Sequence, residues 1–313
     1  MEHKKPAKQN PFEKFYKKSP RGERTFDEGP KSERKGRSRP TSNRRFDEEA
    51  EAPRSSSRTQ PQATGRVQPR ASYAEGGAKA GHTGNRGAGN LRINFVYEDQ
   101  DIIAVEKPAG LPVIAAENSR ARNALDLVTK HLQIKNPKGR AAVVHRLDRD
   151  TSGIMIFAKN AKTKTILMKN WDKLVTRRCY TALVEGRLPQ QEGVVTSWLR
   201  EQSASRVREV PKGTHGALRA VTHYRVLGVK GPHSLVELEL ETGRRHQIRV
   251  QLAGLGNPVA GDSTYGATTD PAGLLCLHAS LLVLTHPHTG RELVLESALP
   301  EWALTGRRSA PRT

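Results

Sequence analysis

Two short stretches of this chain carry the residue types and spacing that chemistry needs. The first is VVHRLDRDTSG, residues 143–153, where two apolar residues lead into His145, Arg146, Asp148, Arg149 and Asp150, and a Thr-Ser-Gly turn follows. A loop between buried strands is a usual position for working side chains, so an aspartate here can serve as nucleophile or general base. A charged turn with surface ion pairs of little worth is the alternative; it explains the charges but not their place between two apolar runs. The second stretch is TGRRHQIRVQL, residues 242–252, which sets Arg244, Arg245, His246 and Arg249 across an expected helix N-terminus. Backbone N–H groups there already favour anions. Phosphate contacts in a nucleic-acid groove are the specific reading, and a solvated basic face is the alternative.

The elements that must position these residues follow from hydrophobic period and turn chemistry. INFVYEDQDIIAVEKPAGLPV (93–113) reads as two strands around a polar turn at Glu98–Asp101. NALDLVTKHL has Leu125, Val128 and Leu132 at helical spacing, and KTKTILMKNWDKL (162–174) puts Ile166, Leu167, Trp171 and Leu174 on one helix side. AAVVHRL is a short strand entering the charged stretch, and GIMIFAKN is a strand leaving it. CYTALVEG (179–186) is a strand ended by Gly186. AVTHYRVLGV and SLVELELET give the clearest β pattern; in the latter, Val236, Leu238 and Leu240 alternate with Glu237, Glu239 and Glu241, predicting one buried and one wet face. Ile248, Leu252 and Leu255 predict a helix that Gly256 and Pro258 stop. LLCLHASLLVLTHPHTGRELVLE adds two strands. Without a steady βαβα alternation, the expected class is α+β, a mixed, mostly antiparallel sheet flanked by helices and loops.

Composition separates an arm from a core. Residues 1–90 hold no Leu, Ile or Trp and a single Val, Val67, while carrying 21 Lys+Arg against 11 Asp+Glu. Such a segment cannot bury enough apolar surface to offset the entropy of ordering it, so a disordered basic arm is expected. The expected domain organisation is this arm, a catalytic domain over 91–305 and a flexible basic tail over 306–313. A net charge of +21 shared by arm and domain points to a polyanionic partner, nucleic acid first. Two distant cysteines exclude a zinc ribbon and fit a reducing compartment. No apolar run approaches the roughly 20 residues of a membrane span. There is no signal-peptide core, and early acidic residues do not suit a transit peptide, so a cytoplasmic protein is expected, with monomer as the default state.

The Gly-rich run at 76–90 lacks the strand, helix and Gly-Lys-Ser/Thr of a phosphate loop and reads as a linker. LDRDTSG resembles the Asp-x-Asp loop of haloacid-dehalogenase phosphatases, but the downstream acidic pair for Mg²⁺ and the parallel βα alternation are missing. The blocks HRLDRDTSG, RRCYTALVEG, TGRRHQIRVQL…GNPVAGDSTYG and LCLHA, in this order, together with EKPAGLPV, resemble the RluA-type RNA pseudouridine synthases over about residues 93–302. Many members of that family carry an N-terminal S4 RNA-binding domain, which residues 1–90 lack the apolar content to build.

The resemblance implies an isomerase that converts uridine in RNA to pseudouridine without a cofactor, and no metal is expected. It matches the family's nucleophilic aspartate to Asp148, its active-site tyrosine to Tyr180, its active-site basic residue to Arg249, and the arginine that helps extrude the target nucleotide to Arg146. Asp148 can attack the anomeric carbon or act as a base at the sugar; Arg249 is the candidate to favour its ionised form. Tyr180 suits stacking of the uracil, and its hydroxyl is a second candidate group near C5. His145, Arg244, Arg245 and His246 are the further candidates for RNA contact, and Arg149 and Asp150 are expected to support the loop. Ribosomal RNA is favoured over transfer RNA as substrate because of the charge. The alternative function is an RNA-binding factor whose synthase-like domain no longer reacts, against which the complete Asp148, Tyr180, Arg249 set argues.

Overall fold

The computed structural model describes residues 92–115, 121–203 and 205–304. The arm expected over 1–90 and the tail expected over 306–313 lie outside the described residues. Eleven strands join in one sheet: β1 (Asn94–Glu98), β2 (Ile102–Lys107), β3 (Ala142–Val143), β4 (Ser152–Ala158), β5 (Val175–Glu185), β6 (Glu192–Ser203), β7 (Arg206–Val210), β8 (Leu218–Lys230), β9 (His233–Leu240), β10 (Leu277–Thr285) and β11 (Glu292–Glu296). Their order is β1-β2-β4-β10-β5-β9-β8-β6-β7, with β3 also beside β4 and β11 also beside β10. Every pairing is antiparallel except β10 with β4. The helices are α1 (Ala124–Lys135), α2 (Ala161–Lys169), α3 (Trp171–Leu174) and α4 (Gln247–Gly254). This is the mixed, mostly antiparallel sheet that the residue pattern predicts.

Period-2 geometry explains why β2 and β4 are apolar throughout rather than alternating. On β2, Ile103 and Val105 face a core with Met155 and Phe157 of β4 and Val128 and Leu132 of α1. Ile102 and Ala104 face a second core with Ile154 and Ile156 of β4 and Leu167 of α2. Both faces of this half are covered, so both residue sets must be apolar. A third core packs β5, β8 and β9 against Ile248 and Leu252 of α4. Side-chain caps start two helices: Asn123 accepts from the Asp126 N–H at 3.0 Å, and Asn160 from the Thr163 N–H at 2.8 Å.

Several elements depart from the expected ones. The strand expected in AAVVHRL is only two residues long. The Ile156 N–H, next along β4 after the Val143–Phe157 pair, is taken by His145 Nε2 at 3.0 Å instead of by a continuing strand. The helix expected over 162–174 is divided at Asn170, whose backbone and side-chain N–H groups both cap the Ile166 carbonyl at 3.0 Å and close α2. The expected wet face of β9 is wrong at Glu239, which is 1% exposed; β9 lies inside the sheet, and Arg177 of β5 grips the carboxylate at 3.2 and 3.3 Å. Leu255 lies beyond α4 and is exposed. In its place Gln247 and Gln251 are buried, because their amides satisfy β6 and β8 backbone carbonyls: Gln247 donates to Val221 at 3.0 Å, and Gln251 to Val195 and Ala220 at 3.2 Å. β6 and β7 form between Gly186 and Ala220, where the residue pattern predicts no element.

Candidate active site

Asp148 projects from the loop between β3 and β4, and three devices fix that loop. Its turn closes with Thr151 N–H donating to the Asp148 carbonyl at 3.2 Å. Gly153 then enters β4 at φ +111°, with the Ala279 backbone of β10 so near that a Cβ would lie 2.2 Å from the Ala279 oxygen. Only glycine allows this parallel contact, which gives the Thr-Ser-Gly turn its physical reason. The third device is Lys107, 1% exposed at the end of β2. Its Nζ donates to the carbonyls of Pro108 (3.0 Å), Leu111 (2.9 Å) and Arg149 (2.8 Å). Burial pulls its pKa down to about 7, against the smaller opposing pull of Asp150 and Asp148. An ammonium supplies three donors and a neutral amine two, so this carbonyl triad is matched to the charged form.

Arg249, on the inner face of α4, reaches Asp148 from the opposite side. Its Nη1 lies 3.2 Å from Asp148 Oδ2, while Nε and Nη2 hold Asp262 at 2.6 and 2.8 Å. Burial opposes the guanidinium charge, but the Asp262 hydrogen bonds and then the two carboxylate charges outweigh it and raise the pKa. The bidentate grip leaves one edge of the guanidinium, and that edge faces Asp148. Arg249 also lies 5.0 Å from the Tyr265 ring centre, a cation–π contact.

Asp148 stands where two cavities meet. One, of about 440 Å³, is lined by Arg146, Tyr180, Arg178 and Arg244 among others. The second, of about 390 Å³, is lined by Pro112, Val113, Ile114 and Thr264 among others; Arg146, Asp148, His246 and Arg249 border both. Tyr180, from β5, lies between the two main cores, and burial raises its hydroxyl to about 12. The phenol therefore stays protonated near neutrality, which favours the stacking role over a phenolate base at C5. Arg178 is tied to the carbonyls of Leu240 and Glu241 at 3.3 and 2.8 Å.

The remaining expected residues are placed as follows. Arg146 is exposed at the mouth shared by the cavities. Arg244 Nε donates to the Arg219 carbonyl at 3.1 Å, and Arg245 pairs with Glu201 at 3.1 Å. Arg149 and Asp150 form a two-point pair at 3.0 and 3.1 Å. His246 occupies the left-handed region, φ 52°, as no other non-glycine does among the described residues. Such backbone costs about 1–2 kcal/mol and turns its ring into the site, 3.8 Å from Asp148.

His145 lines the larger cavity, but its ring is tied into the fold. Its ring stacks on Trp171 at 4.7 Å, its Nε2 accepts from Ile156, and burial lowers its pKa to about 3, so it brings no charge to a phosphate at neutral pH. The unfolded chain binds this proton near pH 6.5 and the native one near 3, so stability falls as pH drops through that window. His145→Gln, which keeps an acceptor but not the titration, is expected to flatten that acid limb in urea unfolding series from pH 7 to 4; an unchanged limb counts against the assignment.

Residues 101–254 match the family model described as RNA pseudouridylate synthase. The uncharacterized RNA pseudouridine synthase YhcT of Bacillus subtilis is 38% identical over 211 residues, covering 66% of this chain and 69% of that protein. The chain belongs to the RNA pseudouridylate synthase family. Ribosomal large subunit pseudouridine synthase D of Vibrio cholerae is 35% identical, covering 68% of the synthase and 69% of the relative. The corresponding Nitrosomonas europaea protein is 36% identical, and the synthase spans 63% of its length. Among solved structures, human RNA pseudouridylate synthase domain containing 4 superposes with a TM-score of 0.55 at 25% identity, covering 67% of the synthase and 90% of that chain. The synthase is thus an isomerase of RNA uridines, of the RluA type. Among the described residues, no helix is long and apolar enough to cross a membrane.

Residue reasoning gave no role to Lys107, Asp262 or Tyr265 of the synthase. All three lie in quoted blocks, EKPAGLPV and GDSTYG, but their partners stand far away in sequence: Asp262 is 13 residues from Arg249, and Lys107 is 42 from Arg149.

Proposed function

We propose that this synthase isomerises uridines of ribosomal RNA, with Asp148 acting at the ribose of the target nucleotide. The observation that carries the reading is the Asp148 carboxylate at the junction of two open cavities, with the free edge of a buried Asp262–Arg249 pair 3.2 Å away. A carboxylate so placed can attack the anomeric carbon or take a proton from the sugar; both routes release the uracil for rotation. Tyr180 offers the flat face on which the base turns, and Arg146 is exposed to fill the space that the extruded nucleotide leaves. Arg244 and Arg245 hold phosphates at the rim. Support for ribosomal RNA comes from the printed names of the Vibrio and Nitrosomonas relatives and from a net charge of +21.

The test is pseudouridine mapping in total RNA from a strain lacking the gene. Loss of a ribosomal signal that the intact gene restores is the expected result; a loss confined to transfer RNA overturns the ribosomal assignment. For Tyr180, the stacking role predicts that Tyr180→Phe retains within about tenfold of wild-type kcat, whereas Tyr180→Leu loses about 1–3 kcal/mol of transition-state stabilisation. Tritium release from 5-³H-uridine RNA measures both, and equal, near-total loss in the two variants points to the hydroxyl instead.

A further inference from the structure

His246 stands beside Asp148, yet an anion contact does not account for its geometry. Its Nδ1 lies 2.7 Å from the Tyr265 hydroxyl, and the same hydroxyl lies 3.0 Å from the Val207 N–H. The backbone N–H can only donate, so the Tyr265 oxygen accepts from Val207, and the phenol proton is available to His246 Nδ1. With that proton on the Tyr265–Nδ1 line, the neutral imidazole carries its own on Nε2. Nε2 is the atom that faces Asp148, 3.8 Å from Oδ2. Tyr265 meets the ring edge-on, with centres 5.7 Å apart, which holds its plane. Burial lowers the His246 pKa, with Asp148 pulling the other way, so a neutral ring is the expected form near neutral pH.

A neutral N–H donor and a carboxylate acceptor 3.8 Å apart are too far for a good hydrogen bond to each other. They suit a third group placed between them that both accepts and donates. An oxygen about 2.8 Å from each fits that gap, and a hydroxyl has both capacities. Asp148 working at the sugar brings one such group beside it, the hydroxyl that distinguishes ribose from deoxyribose. We propose that His246 donates its Nε2–H to the 2′-hydroxyl of the target ribose while that hydroxyl faces Asp148, and that Tyr265 is the positioning residue that holds the required tautomer. The proposal rests on the synthase reading above. It makes His246 a determinant of sugar specificity and gives the left-handed backbone at this position a use: it turns the ring over the carboxylate.

The test has two arms on the full chain. In ¹⁵N-histidine spectra without RNA, with the signal assigned by its loss in His246→Asn, His246 is expected as the Nε2–H tautomer, and Tyr265→Phe as a mixture. An Nδ1–H tautomer in the wild type overturns the proposal. In the second arm, an RNA oligonucleotide containing the mapped target uridine carries ribose, 2′-deoxyribose or 2′-fluororibose at that one position. The wild type is expected to favour ribose by about a hundredfold or more in kcat/KM. His246→Asn, chosen because asparagine tolerates the left-handed backbone, narrows that ratio about tenfold, and Tyr265→Phe narrows it less. A variant that slows all three sugars equally has lost only structure, and an unmoved ratio in both variants overturns the proposal while the synthase reading stands. A wild type that converts none of the oligonucleotides overturns both.

Discussion

Asp148→Asn is expected to bind RNA within about twofold of wild type and to lower kcat by at least about 10⁴-fold. The amide has nearly the shape of the carboxylate, and its oxygen can still accept from Arg249 Nη1, now 3.2 Å from Asp148 Oδ2. Folding and the cavity walls should therefore survive. The substitution removes the negative charge, the only feature that lets this side chain attack a sugar carbon or take a proton. Filter binding and tritium release on the same RNA separate the two effects. Conversion within about tenfold of wild type would remove Asp148 from the reaction and revive the reading of a fold that binds RNA without acting on it.

The second large effect is expected from Asp262→Ala, a residue with no substrate contact in the reading above. Its side chain is 1% exposed and holds Arg249, itself 9% exposed, by two short hydrogen bonds. Removing Asp262 takes away the two shortest hydrogen bonds of Arg249 and leaves the guanidinium only the more exposed Asp148, at a cost of about 3 kcal/mol, the low end for breaking a buried pair. Urea unfolding should show a loss of that size. Any variant that stays folded should also be slow, because a guanidinium without Asp262 turns fully onto Asp148 and occupies the carboxylate. The double variant Asp262→Ala/Arg249→Met removes the stranded charge; it is expected to recover much of the stability and none of the activity. A loss under about 1 kcal/mol in the single variant would mean that the pair contributes no such compensation.

The loop around Asp148 shows how residue patterning and tertiary packing divide the information. The apolar flanks and the charged centre of VVHRLDRDTSG identified a presented carboxylate, and the HRLD block selected Asp148 over Asp150. Arg149 and Asp150 pair with each other at the surface of that loop. His145 reads in the sequence as one more polar residue of an RNA surface, because its Ile156 partner depends on how β4 runs past the loop. Glu239 falls on the predicted wet face for a related reason. Alternation along β9 records which residues share a side, whereas the burial of that side depends on β5 bringing Arg177 over it.

The chain alone gives the class of the sheet, a basic segment without Leu or Ile over residues 1–90, and the two stretches that hold Asp148 and Arg249. These are readable because period, composition and turn residues act over a few positions. Tertiary structure alone decided that Arg249 divides its guanidinium between Asp262 and Asp148, that Lys107 reaches the Arg149 carbonyl of the Asp148 loop, and that the Tyr265 hydroxyl meets His246 Nδ1. Each is a contact of a few ångströms between residues 13 to 101 positions apart. Such contacts follow from the path of the backbone through the sheet, which the identity of the residues at either end does not specify.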